Sequence, residues 1–83
     1  MPKVITDGRF TFIVYPNERP IEPAHVHVFD GDVDLCRINL DSGQFMGPAY
    51  PPQEMGSAIL HEYKKYVLDI RRAWNQVSSR QET

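Results

Sequence analysis

Two of the chain's three histidines, His25 and His27, stand one residue apart in the segment EPAHVHVFDGD, residues 22–32. Alternate residues of a β-strand point to the same face of a sheet, so a strand here places both imidazoles together. Histidine exchanges protons near neutral pH, and arginine holds phosphate oxygens through a fork of donors. Two histidines beside an arginine are therefore a set of groups that could grip or cleave a phosphodiester.

The residues that face the histidines depend on the length of the turn that follows them. A two-residue turn at Asp30-Gly31 places His27 opposite Asp34 and His25 opposite Cys36. Histidine, cysteine and aspartate are all ligands that zinc accepts, so this register predicts a metal site.

A three-residue turn over residues 30–32 instead pairs His27 with Leu35 and His25 with Arg37. Only this register gives the sheet one apolar face that a helix can cover, composed of Val26, Val28, Cys36, Ile38 and Leu40. The two-residue register would group the two valines with polar side chains. We therefore predict the three-residue turn and a buried Cys36, with no metal ligand and no cofactor.

The candidate site lies on the face of the sheet that carries the histidines, where we expect both rings to be exposed. The candidate catalytic residues are His25, His27 and Arg37, with one histidine as general base, the other as general acid and the arginine stabilising phosphoryl charge. The candidate binding residues are Asn17, Glu18, Arg19, Glu22 and Asn39. The alternative is a solvent-exposed strand whose two histidines have no chemical role.

The flanking patterns predict an α+β fold. Phe10, Phe12 and Val14 alternate with other β-forming residues in one strand, KVIT precedes it across an Asp7-Gly8 turn, and VDLCRINL pairs with the histidine strand. Residues 41–52 are rich in glycine and proline and are predicted to be a loop. The result is an antiparallel sheet of three or four strands with a long C-terminal helix packed on one face.

The helical spacing of apolar residues begins at Gln53 and continues to about Ser79. An unbroken helix of that length would be about 40 Å long, so we expect a break near residues 63–66 or one end that projects towards a partner. A homodimer through this helix is one such arrangement. Four cations, Lys64, Lys65, Arg71 and Arg72, could contact nucleic acid, but a solvated helix face is the favoured interpretation.

The length and composition of the chain limit the classes of protein to which it can belong. The 83 residues predict one domain over 1–83 with a frayed tail at 80–83. The formal charge of −2 indicates that the chain as a whole lacks the strong positive field of a protein that tracks nucleic acid, and it leaves a local basic patch open. With one cysteine, no charged and apolar leader and no run long enough to span a membrane, the sequence predicts a cytoplasmic protein.

The segment GRFTFIVYPNERPIEPAHVHV resembles a family of small prokaryotic proteins catalogued as domain-of-unknown-function family 4160. The shared features are an aromatic-rich strand, a proline-containing link and His-x-His on the next strand, and YVLDIRRAWNQV resembles the family's helical segment ending in tryptophan. The resemblance covers Gly8 to about Leu40 well, whereas residues 41–52 depart from it. It implies a toxin-like member of a two-gene toxin–antitoxin module, neutralised by a small partner protein encoded nearby.

Three functions remain open from the sequence. The first is a toxin-like component that acts on RNA through the histidine face. The second is a non-catalytic module, an inhibitor or regulator carried by a mobile element, that binds a protein. The third is a metal-binding domain that uses His25, His27 and nearby carboxylates.

Overall fold

The computed structural model describes residues 3–6, 8–15 and 23–81 and has an α+β fold. Five strands form one antiparallel sheet in the order β1-β2-β3-β4-β5. Their bounds are Lys3–Ile5 for β1, Thr11–Val14 for β2, His25–Asp30 for β3, Val33–Asn39 for β4 and Phe45–Met46 for β5. A 3-10 turn at Gln53–Met55 leads into the helix α1, Gly56–Gln81.

The predicted class is confirmed, but the sheet has one strand more than expected. The additional strand, β5, lies inside the segment 41–52 that composition predicts to be a loop. It is only two residues long and pairs Met46 with Arg37 and Phe45 with Ile38. A strand this short carries no readable alternation, so the glycine and proline content of the segment predicts only a loop.

One face of the sheet and one stripe of the helix make the core. On the sheet side, Phe10, Phe12 and Val14 are at most 1% exposed, while the residues that alternate with them are only half-buried. On the helix side, the buried residues lie three, four or seven positions apart, with the partly buried Tyr66 in the longest interval: Ile59, Tyr63, Ile70, Ala73 and Val77. The alternate apolar side chains of the sheet and the apolar stripe of the helix, both predicted from the sequence, therefore pack against each other in one layer.

The helix is continuous, so the expected break near residues 63–66 is wrong. Its 26 residues give a length of about 39 Å, close to the 41 Å long dimension of the molecule. At the expected break, Tyr63 and Tyr66 both pack on Phe12, with ring centroids 6.5 and 6.4 Å away. The apolar stripe thus stays in phase with the sheet along its length, and no glycine or proline interrupts it after Gly56.

The β3–β4 hairpin combines a two-residue turn with a β-bulge, a combination that neither predicted register contains. Asp30 pairs with Val33, so Gly31 and Asp32 form the turn, with Gly31 at φ 61°. Further along the hairpin the register shifts and Leu35 becomes the extra, unpaired residue. The bulge lets two consecutive residues of β4 both turn towards the core.

The net shift corrects the predicted pairs but keeps the predicted faces everywhere except at the bulge. His27 lies opposite Arg37 rather than Leu35, and His25 lies opposite Asn39 rather than Arg37. Because the displacement is two residues, the residues of β4 beyond the bulge stay on their predicted faces, whereas Asp34 and Leu35 exchange faces. The covered face includes Cys36, as predicted, and the opposite face carries both Arg37 and Asn39.

A carboxylate of the helix holds the connection between β1 and β2. Glu62 accepts hydrogen bonds from the backbone N–H groups of Arg9 and Phe10, both at 3.2 Å. A Cβ on Gly8 would stand 2.2 Å from Glu62 Oε1, so a larger residue here would displace the Glu62 carboxylate. Residues 6–10 separate β1 from β2, a longer connection than the predicted Asp7-Gly8 turn. Asp7 itself lies outside the described residues.

Replacing Glu62 with alanine is expected to lower the free energy of unfolding by about 1–2 kcal/mol, because two backbone donors lose a charged acceptor. Urea denaturation monitored by circular dichroism measures the change. Glu54→Ala, at an exposed position of the 3-10 turn, is the matched control and should change stability by less than about 0.5 kcal/mol. Equal losses of stability in the two variants would contradict the role of Glu62 as an acceptor that holds the connection between β1 and β2.

Candidate functional site

The face of the sheet opposite α1 carries the candidate site, and we call it the open face. One row of directly paired residues crosses all five strands on this face: Val4, Ile13, His27, Arg37 and Met46. Val4 is 50% exposed and the other four are half-buried. The row therefore has an imidazole and a guanidinium at its centre, with apolar side chains on either side of them.

His27 and Arg37 line a shared cleft of about 350 Å³ on the open face. The other lining residues are Asp34, Cys36, Pro48 and Ala49. Arg37 donates hydrogen bonds from Nε and Nη2 to the carbonyl oxygen of Gly47, with Nε 2.9 Å from that oxygen. The segment after β5 therefore orients the guanidinium next to His27.

The two histidines have different environments, and the expectation that both are exposed is wrong for His25. His25 is 1% exposed, and its ring centroid lies 5.8 Å from that of Trp74 on α1. Its Nδ1 lies 2.8 Å from the carbonyl oxygen of Pro23. Because a carbonyl oxygen only accepts, Nδ1 carries the hydrogen in this contact.

His27 is half-buried and lies between two rings. Its centroid is 5.2 Å from that of His25 and 4.8 Å from that of Tyr15, which it meets edge-on at 90°. A chain of ring contacts thus leads from Trp74 on the helix, through His25 and His27, to Tyr15 at the end of β2. His25 is placed to position His27, and His27 is the histidine that lines the cleft.

Asn39, a predicted binding residue, organises the turn between β4 and β5. Its Oδ1 accepts hydrogen bonds from the backbone N–H groups of Asp41, at 2.8 Å, and Ser42, at 3.0 Å. Its side-chain oxygen is therefore engaged in an Asx-type turn. The other four predicted binding residues, Asn17, Glu18, Arg19 and Glu22, lie outside the described residues.

Asp34 is the site residue that sequence reasoning missed. In the predicted register it faced the core side, whereas the bulge at Leu35 pairs it with Phe29 and leaves it exposed on the open face. The available signal was the apolar pair Leu35-Cys36, since two consecutive core residues in a strand indicate a bulge. Trp74, which the helical period predicts as core, is half-buried and also contacts His25.

Cys36 belongs to the core, and its thiol does not have the exposure or the low pKa that a metal ligand needs. It is 1% exposed, and burial, followed by the charge of Asp34, raises the pKa of its thiol from 9.0 to about 12. Among the described residues, no three histidine, cysteine or acidic side chains lie together in a way that could hold a metal ion. The geometry therefore gives the metal-binding hypothesis no support from this part of the chain.

The Cys36 thiol should make stability fall as pH rises between about 9 and about 12. The unfolded chain ionises its thiol from pH 9 upward while the folded state keeps the proton, so folding stability is present below that range and lost across it. Burial also raises the pKa of Tyr63, which acts in the same direction. Urea denaturation at several pH values should show a shallower decline in Cys36→Ala, and an unchanged slope would contradict the assignment.

The comparisons with known proteins assign the chain neither to a family nor to a function. No protein-family model matches the chain, and no curated protein or solved structure shows significant similarity to it. The resemblance to domain-of-unknown-function family 4160 therefore stays a prediction from the residues. In the part of the chain that the structure describes, no helix has both the length and the apolarity needed to cross a bilayer.

Proposed function

We propose that this protein is the toxin-like component of a small two-gene module and acts on RNA at the cleft that holds His27 and Arg37. The observation that carries the proposal is the direct cross-strand pairing of these two residues in a cleft that also contains Asp34. A proton-exchanging ring, a cation and a carboxylate are the groups that phosphodiester cleavage uses. The two-gene context comes from the family resemblance.

The environments of the histidines assign them unequal roles in this proposal. His27 takes the proton of a ribose 2′-hydroxyl, and that oxygen then attacks the adjacent phosphorus. The bond to the 5′ oxygen breaks, and this oxygen receives a proton from solvent, so the products carry a 2′,3′-cyclic phosphate and a 5′-hydroxyl. His25, at 1% exposure, is a positioning residue rather than the second acid–base group predicted from the sequence.

Arg37 stabilises the charge that develops on the phosphoryl oxygens. Its hydrogen bonds to Gly47 hold the guanidinium in one orientation, so its placement costs little further ordering when RNA binds. Asp34 lines the same cleft and is suited to orient a protonated histidine. The proposal thus uses one acid–base residue, one cation and one carboxylate.

Expression of wild type and variants in growing cells tests this function. We expect wild type to arrest growth, His27→Ala to be harmless with RNA cleavage reduced about 10²- to 10⁴-fold, and the neighbouring gene to rescue wild type. His61→Ala is the matched control, because His61 is exposed on α1 and should leave toxicity unchanged. Toxicity that survives His27→Ala, or intact cellular RNA in arrested cells, would remove the proposal.

A second candidate function, a non-catalytic protein-binding module, is favoured by the apolar part of the open face. Val4, Ile13 and Met46 lie in one row with Arg37, and methionine and arginine are common in interface centres. Val4 is 50% exposed, and Ile13 and Met46 are half-buried. The face thus presents a surface of the type that partner proteins cover.

One pair of variants tests whether the open face is the docking surface for a protein partner. If protein binding is the function, Ile13→Asp should weaken the complex with the neighbour-encoded protein at least about tenfold by calorimetry, since it places a charge in the apolar row. Leu68→Asp, on the outer side of α1 at 72% exposure, should leave that affinity unchanged. Equal affinity in both variants would exclude the open face as the docking surface.

A further inference from the structure

A second cleft, separate from the candidate site, lies where α1 crosses the end of the sheet. Its volume is about 230 Å³, and its lining residues are Ala24, Leu40, Asp41, Arg71, Trp74 and Asn75. The cleft sits at the start of β3 and the end of β4. None of the functions predicted from the sequence uses it.

The floor of this cleft is held by hydrogen bonds between the sheet and the helix. Leu40 donates its backbone N–H to the carbonyl oxygen of Ala24 at 2.8 Å. Arg71 Nη2 donates to the carbonyl oxygen of Leu40 at 2.5 Å, which ties α1 to the end of β4. These hydrogen bonds hold the start of β3, the end of β4 and α1 together around the cleft.

The walls combine an aromatic ring with polar groups of opposite hydrogen-bonding character. Trp74 is half-buried and lines the cleft while it also contacts His25. Asp41 is exposed and its carboxylate only accepts hydrogen bonds, whereas the exposed Arg71 guanidinium only donates them. Asn75 is exposed and can do both. Such a set suits a planar, heteroaromatic ligand that has donors on one edge and acceptors on another.

Among the nucleobases, guanine fits this set best. Its Watson–Crick edge has two adjacent donors, N1–H and N2–H, which one carboxylate accepts together. Its O6 and N7 are acceptors, and arginine donates to both of them in protein complexes. Adenine, cytosine and uracil each offer a carboxylate no such donor pair. A volume of about 230 Å³ also accommodates one purine ring.

We propose that this cleft binds a guanine base, with the ring against Trp74, the N1–H and N2–H donors on Asp41, and Arg71 donating to the acceptor edge. The inference deepens the proposed action on RNA and rests on it for the source of the base. Trp74 contacts His25, which contacts His27, so the bound base lies beside the ring chain that leads to the candidate site. The cleft would thereby select a guanine-containing RNA.

Trp74 makes the test direct, because it is the only tryptophan in the chain and its fluorescence reports on the cleft. Titration of the full-length protein with GMP, AMP, CMP and UMP should give saturable quenching with GMP at a Kd at least about tenfold below that for AMP. N-acetyltryptophanamide controls for absorption by the nucleotides. Absence of saturable quenching, or equal quenching by all four, would overturn the assignment to guanine.

Matched carboxylate variants locate the recognition. Asp41→Asn should remove the preference for GMP over AMP, because the amide presents a donor where guanine also presents donors. Asp69→Asn, on the exposed side of α1 where Asp69 pairs with Arg72, should keep the preference. Arg71→Gln is a second variant for the acceptor edge. A preference that survives both Asp41→Asn and Arg71→Gln would overturn the proposed contacts.

Two further measurements identify the source of the base and separate this inference from the proposed function. Tighter binding of the trinucleotide UGU than of GMP, with UAU weak, supports RNA as the source, whereas equal affinities support a free guanine nucleotide. If GMP binds selectively but His27→Ala leaves toxicity intact, the guanine cleft stands and RNA cleavage fails. If RNA is cleaved but GMP shows no selective binding, the proposed function stands and the guanine cleft fails.

Discussion

The fold depends on the packing of one unbroken amphipathic helix across one face of one small sheet. Ile59, near the start of α1, and Val77, near its end, are both buried, so the apolar stripe is packed in the core over most of the helix. An 83-residue chain has little other apolar surface with which to build a core. Every strand must therefore turn one set of alternate side chains towards this helix, and the remaining set is left on the open face. The candidate site consists of that remaining set.

The bulge at Leu35 shows how strongly this packing constrains the hairpin. A regular two-residue turn followed by regular pairing would have placed the valines of β3 on the same face as the polar residues of β4. The extra residue restores the match between the apolar sets and lets Leu35 and Cys36 both reach the core. A consequence for function follows, because the same bulge brings Asp34 to the open face near His27. Core packing and site composition are thus decided by one local irregularity.

The length of the helix matters at its other end as well. Because α1 continues past the sheet centre, Trp74 reaches the first residue of β3 and packs on His25, and Arg71 bonds to the end of β4. The His-x-His pair is therefore not symmetrical, although its residues are identical and share a strand. One ring is enclosed by the helix and by the carbonyl oxygen of Pro23, and the other lines a cleft beside Arg37. Identical side chains acquire different roles through what covers them.

The sequence by itself determined the fold class, the helical and strand periods, the faces of the β3 and β4 residues outside the bulge, and the burial of Cys36. These are set by local alternation and by the requirement that apolar faces meet, which a single chain displays directly. The tertiary structure alone decided the bulge, the two-residue strand β5, the continuity of α1 past Tyr63 and Tyr66, and the burial of His25 under Trp74. Each of these depends on contacts between residues far apart in the chain, such as Trp74 with His25 or Glu62 with Arg9, and no local pattern encodes such distances. The candidate residues were therefore readable from spacing, but which histidine faces the cleft and which carboxylate accompanies it were settled only when the helix closed over the sheet.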